Sequence, residues 1–157
     1  MKRGYILFLI CTIFIGGCGS SLGSFQKGTI NYQKLIWEIN QMSYDGVWNM
    51  ELLQDESIDE TMLAEQFFIR SDQLTSYAVF IPVVSMSPCE IAIFEGDAGL
   101  IEQAMTKHIE KRKQEATILA KYQELIDQAL RFQIGDYHIL IIGNDASKIK
   151  SYMESLN

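Results

Sequence analysis

Apolar residues recur every three to four positions in several parts of the chain, which is the spacing of one face of an α-helix. A first helix is predicted over 31–42, where this spacing is followed by Tyr32, Leu35, Ile36, Ile39 and Met42. A second is predicted within 54–69, whose acidic start suits the positive end of a helix dipole. A last helix is predicted after a cap at Asn144 or Asp145, and its apolar face carries Ile149, Tyr152, Met153 and Leu156.

A long central helix is predicted between the second helix and the last one. Asp97 is a suitable N-cap, and the chain then has no Gly or Pro from Leu100 to Tyr122. The apolar stripe of this segment consists of Ile101, Ala104, Met105, Ile109, Ala116 and Leu119. Its length corresponds to about six helical turns. A shorter helical segment is predicted directly after it, at 124–129.

Short runs rich in β-branched and aromatic residues predict two hairpins. The first joins strands at 76–84 and 89–95, and apolar residues on both faces indicate that both strands lie centrally and are covered on both sides. The second joins strands at 130–134 and 137–142 through the tight turn Gly135-Asp136.

The order of the predicted elements is helix, helix, two strands, long helix, two strands and helix. Hairpins joined by helices predict an α+β fold, in which an antiparallel sheet of about four strands carries the long helix and the N- and C-terminal helices. The alternation of Trp48, Met50 and Leu52 with polar residues also allows one further short strand. We predict that residues 29–157 form a single domain.

The N-terminal segment has the three parts of a secretory signal. Lys2 and Arg3 give it a positive start, and an almost unbroken apolar stretch of about eleven residues follows from Tyr5 to Ile15. That stretch is too short to cross a bilayer as a helix, which needs about 20 residues. We therefore predict a signal peptide at residues 1–17.

Cys18 makes this signal more specific. Ile15-Gly16-Gly17-Cys18 resembles the lipobox of bacterial lipoproteins, in which the cysteine thiol carries a diacylglycerol and becomes the new N-terminus. Two or more acyl chains anchor a protein stably in a membrane, whereas one does not. The alternatives are a plain secreted protein with a chance cysteine and a single membrane helix. We predict lipidation of Cys18, a flexible Gly/Ser-rich tether over 18–28 and a lipid-anchored domain on the extracytoplasmic face of the cell membrane.

The charge of the chain limits its partners. Its 13 basic and 20 acidic residues give a formal net charge of −7, and the loss of Lys2 and Arg3 with the signal lowers this to −9. Nucleic-acid binding depends on neutralising phosphates with Lys and Arg, so we expect no nucleic-acid partner. Electrostatic adhesion to anionic lipid is disfavoured for the same reason, so the membrane would be held through the lipid anchor.

Nothing in the sequence matches a catalytic or metal-binding signature, and we expect no cofactor. The acidic cluster within 55–60 lacks the central Gly and the spacing of a calcium loop. His108 lies on the apolar stripe of the long helix and His138 in a strand, and neither has neighbours with metal-ligand spacing. Both histidines are interpreted as structural. Cys89, in an apolar run without a nearby His, is interpreted as a small buried hydrophobe.

Glu90 is the one charge at the head of an otherwise apolar strand. An unpaired carboxylate there would be costly to desolvate, so it must reach water or meet a cation. Arg112 is the best candidate, because it lies on the inward stripe of the long helix with Met105 and Ile109. We predict a partly buried Glu90–Arg112 pair that sets the register of the helix against the sheet; a role in ligand binding is the alternative.

Several segments resemble a family of small lipoproteins from Gram-positive bacteria, domain of unknown function 4358. The matching residues are Glu90-Ile91-Ala92, Arg112, Tyr122 and Gly135-Asp136-Tyr137, and the similarity covers roughly 35–155 together with the lipobox. The resemblance supports the location and the fold, and implies no activity. We therefore expect a non-enzymatic binding or accessory lipoprotein that meets an envelope protein or ligand; the alternative is an extracytoplasmic hydrolase with an unrecognised carboxylate site.

Overall fold

A computed structural model describes residues 30–84, 86–116 and 119–156. The predicted signal peptide, Cys18 and the tether lie outside these residues. Within the described ranges, no helix combines the length and the apolar character that a membrane crossing requires.

In the described part of the chain, five α-helices and four strands make up the fold. The helices are α1 (Tyr32–Tyr44), α2 (Glu60–Phe67), α3 (Ala98–Glu115), α4 (Ala120–Asp127) and α5 (Ala146–Ser155). The strands are β1 (Leu74–Phe80), β2 (Glu90–Gly96), β3 (Leu130–Ile134) and β4 (Tyr137–Ile142). A short 3-10 turn, Ser71–Gln73, leads into β1. The Asp97 carboxylate accepts a hydrogen bond from the Leu100 amide at 2.9 Å, so the predicted cap of α3 is present.

The four strands form one antiparallel sheet in the order β1-β2-β4-β3. The predicted α+β class, with two hairpins and helices packed on the sheet, is confirmed. β2 and β4 are the central strands, and nearly all of their residues are buried. β1 was expected to be central but is an edge strand, because the second hairpin adds to β2 through β4.

The two faces of the sheet carry separate hydrophobic clusters. Successive strand residues point to opposite faces, so Ile91 and Ile93 pack against α1 and α5. Ala92 and Phe94 instead join the cluster formed by α2, α3 and α4. Glu90 has the same parity as Ala92 and Phe94, so its side chain lies on the α3 side of the sheet. The carboxyl group of Glu90 therefore lies between the sheet and α3.

The prediction of one continuous helix over 100–122 is wrong near its end. α3 ends at Glu115, and a separate helix, α4, begins at Ala120. A continuous helix rises about 1.5 Å per residue and would carry Ile126 roughly 15 Å beyond Ala116. In the structure Ile126 is buried in the same cluster as α3. Burial of Ile126 therefore favours two helices over one, and the 2.7 Å ion pair between Lys113 and Asp127 ties them together.

The further strand that the alternation at 48–52 allows is also absent from the described residues. Trp48 and Met50 are buried because they pack on the α1 and α5 side, so their spacing reflects core packing. The chain then runs along the outer edge of β1 and of Ile81, which directly follows it and whose carbonyl accepts a hydrogen bond from the Gln54 N–H at 2.8 Å. Further along the same edge, Ile58 N–H donates to the Val79 carbonyl at 2.9 Å. This segment shields part of an edge strand that would otherwise expose its backbone groups.

Candidate functional site

A buried polar cluster lies between the start of β2 and the middle of α3. Glu90, the first residue of β2, is 1 % exposed, and His108 on α3 is equally buried. His108 belongs to the inward face of α3 because it follows Ile101 and Met105 at helical spacing. The two side chains therefore meet where the helix crosses the end of the strand.

Both ring nitrogens of His108 are occupied. Nε2 is in hydrogen-bond contact with Oε1 of Glu90. Nδ1 lies 2.9 Å from the backbone carbonyl of Gln66, at the end of α2. The imidazole also stacks on Phe67, with ring centroids 3.8 Å apart and an interplanar angle of 11°. The ring is thus fixed in position and has no nitrogen left for a ligand.

These contacts determine how many protons the pair holds. A carbonyl oxygen can only accept a hydrogen bond, so Nδ1 of His108 carries a proton. The contact between Nε2 and Glu90 then needs one further proton, which resides on either the ring or the carboxyl group. An imidazolium with a carboxylate and a neutral imidazole with a carboxylic acid have the same total charge. The Glu90–His108 pair therefore has no net charge.

Arg112 is next to this pair but makes only long contacts. Its Nη2 lies 3.6 Å from Oε2 of Glu90 and 3.4 Å from the Ser87 carbonyl, and its Nη1 lies 3.5 Å from Oε2 of Glu115. Nε is buried and makes no hydrogen bond with the described part of the chain. Arg70, in contrast, forms a bidentate pair with Asp72 at 3.0 and 3.1 Å. Arg112 therefore has hydrogen-bonding capacity to spare.

Two cavities open beside Arg112. We name the first the polar cleft; it has a volume of about 260 Å³ and is lined by Gln54, Ile58, Met62, Gln66, Phe67, Ile81, Pro82, Ser87, Glu90, His108, Arg112 and Glu115. We name the second the apolar cleft; it also has a volume of about 260 Å³ and is lined by Met86, Ser87, Pro88, Arg112, Glu115, Ala116, Leu119, Tyr122 and Ile126. The two clefts share Ser87, Arg112 and Glu115.

Two wider and more open depressions lie elsewhere. One, of about 540 Å³, lies beside Tyr32 and Tyr77, and the other, of about 590 Å³, beside Glu95 and Asp97. In the latter, Glu95 accepts a hydrogen bond from the Ser76 hydroxyl at 3.0 Å. Neither depression is lined by a charged group as deeply buried as Glu90 and His108. The polar cleft is therefore the strongest candidate site, although it is smaller.

The sequence profile of a family described as domain of unknown function (DUF4358) matches residues 49–143. The chain belongs to this family. The matched region runs from the segment before α2 to the end of β4, so the DUF4358 domain contains the polar cluster and both clefts, whereas α1 and α5 lie outside the match. No curated protein and no solved structure matches the chain.

The DUF4358 domain brings together the two site residues that the sequence singled out. Glu90 and Arg112 are neighbours, but His108 takes the closer contact with the carboxyl group, and this role was missed. His108 lies four residues before Arg112 on the same helix face, and this spacing indicates that it can also reach Glu90. No sequence pattern indicates that Gln66 and Glu115 belong to the same site.

The other residues considered lie away from the cluster. Cys89 is fully buried on the opposite face of the sheet, and this burial raises the pKa of its thiol. His138 pairs with Phe94, four residues along β2 from Glu90 and therefore roughly 13 Å away. No group of three His, Cys, Asp or Glu side chains in the described part of the chain could hold a metal ion. Cys18 lies outside the described residues.

Proposed function

We propose that this DUF4358 protein is a lipid-anchored binding module on the extracytoplasmic face of the cell membrane, and that its ligand occupies the polar cleft. The observation that carries this proposal is the buried Glu90–His108 pair, with a guanidinium of unused capacity beside it, in the wall of a cavity. Burying such groups without full pairing is costly. A ligand that completed their hydrogen bonds would recover part of that cost.

The arrangement favours binding over hydrolysis. His108 cannot accept a proton from a nucleophile, because both of its nitrogens already have partners. The polar cleft does contain two carboxyl groups, Glu90 and Glu115, as a carboxylate hydrolase would need. However, Glu90 is already engaged by His108, and Glu115 lies 3.5 Å from both Lys111 and Arg112. An extracytoplasmic hydrolase therefore remains the alternative.

The location rests on the N-terminal sequence. A charged start, a short apolar core, two glycines and Cys18 occur in the order of a lipoprotein signal. A lipid on Cys18 and a tether over 18–28 would hold the domain close to the membrane surface. Its cleft would then face ligands or partner proteins of the cell envelope.

Fragment binding tests the site. The full chain, with its lipid and in nanodiscs, is labelled at Ile and Met methyl groups and screened by NMR with small carboxylates, amides and amines. We expect the fragments that bind to shift Ile58, Met62 and Ile81, which line the polar cleft. Ile149 and Met153 serve as controls, because they are buried on the other face of the sheet.

Two outcomes would contradict the proposal. Fragments that shift residues remote from the polar cleft would place the site elsewhere. Conversion of a bound ester, amide or glycoside to products, lost in Glu90→Gln, would replace the binding module with the hydrolase.

A further inference from the structure

We infer that the polar and apolar clefts form one binding site that extends across Arg112, and that its ligand is a carboxylate attached to an apolar group. This inference rests on the proposed binding function and adds the chemical class of the ligand. Three observations lead to it: the shared wall of the clefts, their local charge and the long contacts of Arg112.

The shared wall and the volumes indicate a single site. Ser87, Arg112 and Glu115 line both clefts, so a ligand that touches Arg112 can reach either side. Small-molecule sites typically have volumes of roughly 300–1,000 Å³. Each cleft, at about 260 Å³, falls below that range, whereas the two together fall within it.

The local charge favours an anion, although the chain as a whole is acidic. The Glu90–His108 pair has no net charge, because the proton that its two members share offsets the negative charge of the carboxylate. Glu115 lies 3.5 Å from both Lys111 Nζ and Arg112 Nη1, so two positive charges share one negative charge. One positive charge is thus left over at the wall between the clefts.

The contacts of Arg112 indicate a carboxylate in particular. Charge-assisted hydrogen bonds from a guanidinium to a carboxylate measure about 2.7–2.9 Å. The distances from Arg112 to Glu90 and Glu115 are 3.6 and 3.5 Å, so neither acid forms such a bond. Glu90 is held by His108, whereas the Glu115 side chain is 47 % exposed and can turn toward water. A ligand carboxylate can therefore displace Glu115 and form the shorter bonds.

The apolar cleft accounts for the second part of the ligand. Its walls include Pro88, Leu119, Tyr122 and Ile126. At its rim Met86 is 74 % exposed and Leu119 37 % exposed, which leaves apolar area open to water. An apolar group in this cleft would cover that area and would therefore add to the affinity of the ligand.

Matched probes test the ligand class. Binding of N-acetyl-leucine, N-acetyl-leucinamide, N-acetyl-glycine and hexanoate to the full lipidated chain in nanodiscs is measured by calorimetry and by methyl NMR. We expect N-acetyl-leucine to bind about tenfold more tightly than N-acetyl-leucinamide and about tenfold more tightly than N-acetyl-glycine. The comparison of N-acetyl-leucine with hexanoate distinguishes a peptide end from a fatty acid as the source of the carboxylate.

Variants separate a binding role from a folding defect. Arg112→Gln should abolish the preference for the carboxylate over the amide, and Arg112→Lys should reduce it. Arg70→Gln is the matched control, because Arg70 pairs with Asp72 outside both clefts. Glu115→Gln should tighten carboxylate binding several-fold, and a misfolded variant could not produce that gain.

Equal affinity for N-acetyl-leucine and its amide would overturn the inference and leave the proposed binding function standing. An absence of binding by every probe up to about 1 mM would also overturn it. The fragment screen tests the polar cleft independently of these compounds.

Discussion

The imidazole of His108 contacts the carboxyl group of Glu90 across the interface between α3 and the first residue of β2. The same ring contacts the Gln66 carbonyl at the end of α2. One side chain therefore links two helices to the sheet. We expect this buried contact to set the register of α3 against the sheet, because few geometries satisfy it.

We expect the Glu90–His108 contact to be strongly coupled in a double-mutant cycle. Removing one member of a buried pair typically costs about 3–5 kcal/mol, because its partner is left unsatisfied. Glu90→Gln and His108→Phe should each lower the free energy of unfolding, and the double variant should lose less than their sum. Urea unfolding of the four proteins measures the coupling, and additive losses would show that the contact contributes nothing.

The Glu90–Arg112 pair is the control cycle. Its shortest contact is 3.6 Å, and the Arg112 side chain is 21 % exposed, so its coupling should resemble that of surface pairs, about 0–1 kcal/mol. A coupling in Glu90→Gln with Arg112→Met as large as that of the His108 cycle would show that Arg112 is the main structural partner.

The need for a cation beside Glu90 could be predicted from the sequence, but the identity of the closest partner could not. Strand parity and helical spacing place both His108 and Arg112 on the α3 face that meets β2. Which of them approaches the carboxyl group depends on where α2 ends, since the Gln66 carbonyl orients the ring. The contact between His108 and Gln66 joins residues 42 positions apart in the chain, and no local sequence pattern encodes it.

The fold class could be predicted because its signals are local, whereas the break in the long helix could not, because its cause is a packing contact. Two hairpins have strong local signals, such as Gly135-Asp136 between apolar strands. The segment after Glu115 contains no Gly or Pro and retains a helical pattern as far as Tyr122. The chain turns back because Ile126 is buried against the sheet side of α3, which is a gain from packing rather than from local propensity.

Cys89 should be unreactive in the folded protein. Burial raises the pKa of its thiol, and the thiolate is the form that reacts. We expect a maleimide to modify Cys89 only after unfolding, as read by peptide mass spectrometry. Ser147→Cys, at an exposed position on α5, is the matched control and should react at once. Rapid modification of Cys89 in the folded chain would make it a functional candidate.

The same raised pKa predicts a loss of stability in alkali. As the pH rises through 9.0, the ordinary pKa of a thiol, the unfolded chain loses the Cys89 proton before the folded chain does, so unfolding becomes more favourable. The free energy of unfolding should therefore fall more steeply above about pH 9 in the wild type than in Cys89→Ala. Parallel curves for the two proteins would contradict this expectation.

Lipidation should depend on Cys18 alone. Metabolic labelling with an alkynyl fatty acid should mark the wild type, whereas Cys18→Ser should remain unlabelled and leave the membrane fraction. Cys89→Ser is the matched control and should keep the label, because its thiol is in the core. An unlabelled wild type would remove the basis for the proposed location.

Asp145 should stabilise the fold only while it is ionised. Its Oδ2 accepts from the Asn49 amide at 2.8 Å and its Oδ1 lies 3.1 Å from Lys148 Nζ. The hydrogen bond from Asn49 and then the contact with Lys148 lower the pKa of this carboxyl below 3.8. A carboxyl group whose pKa is lower in the folded chain stabilises the fold at pH values above its pKa in the unfolded chain. That stabilisation is lost as the pH falls through its pKa in the folded chain.

Asp145→Asn isolates this effect. Asp145 has a φ of 55°, and Asn tolerates that left-handed conformation while keeping an oxygen acceptor for the Asn49 amide. We expect the variant to be less stable than the wild type at pH 7, with the difference shrinking as the pH falls below about 4. Urea unfolding at a series of pH values measures it, and Asp55→Asn, at an exposed loop position, controls for the general loss of one negative charge. A difference that stayed constant from pH 7 to acid would mean that the stabilisation comes from the backbone conformation and not from the charge.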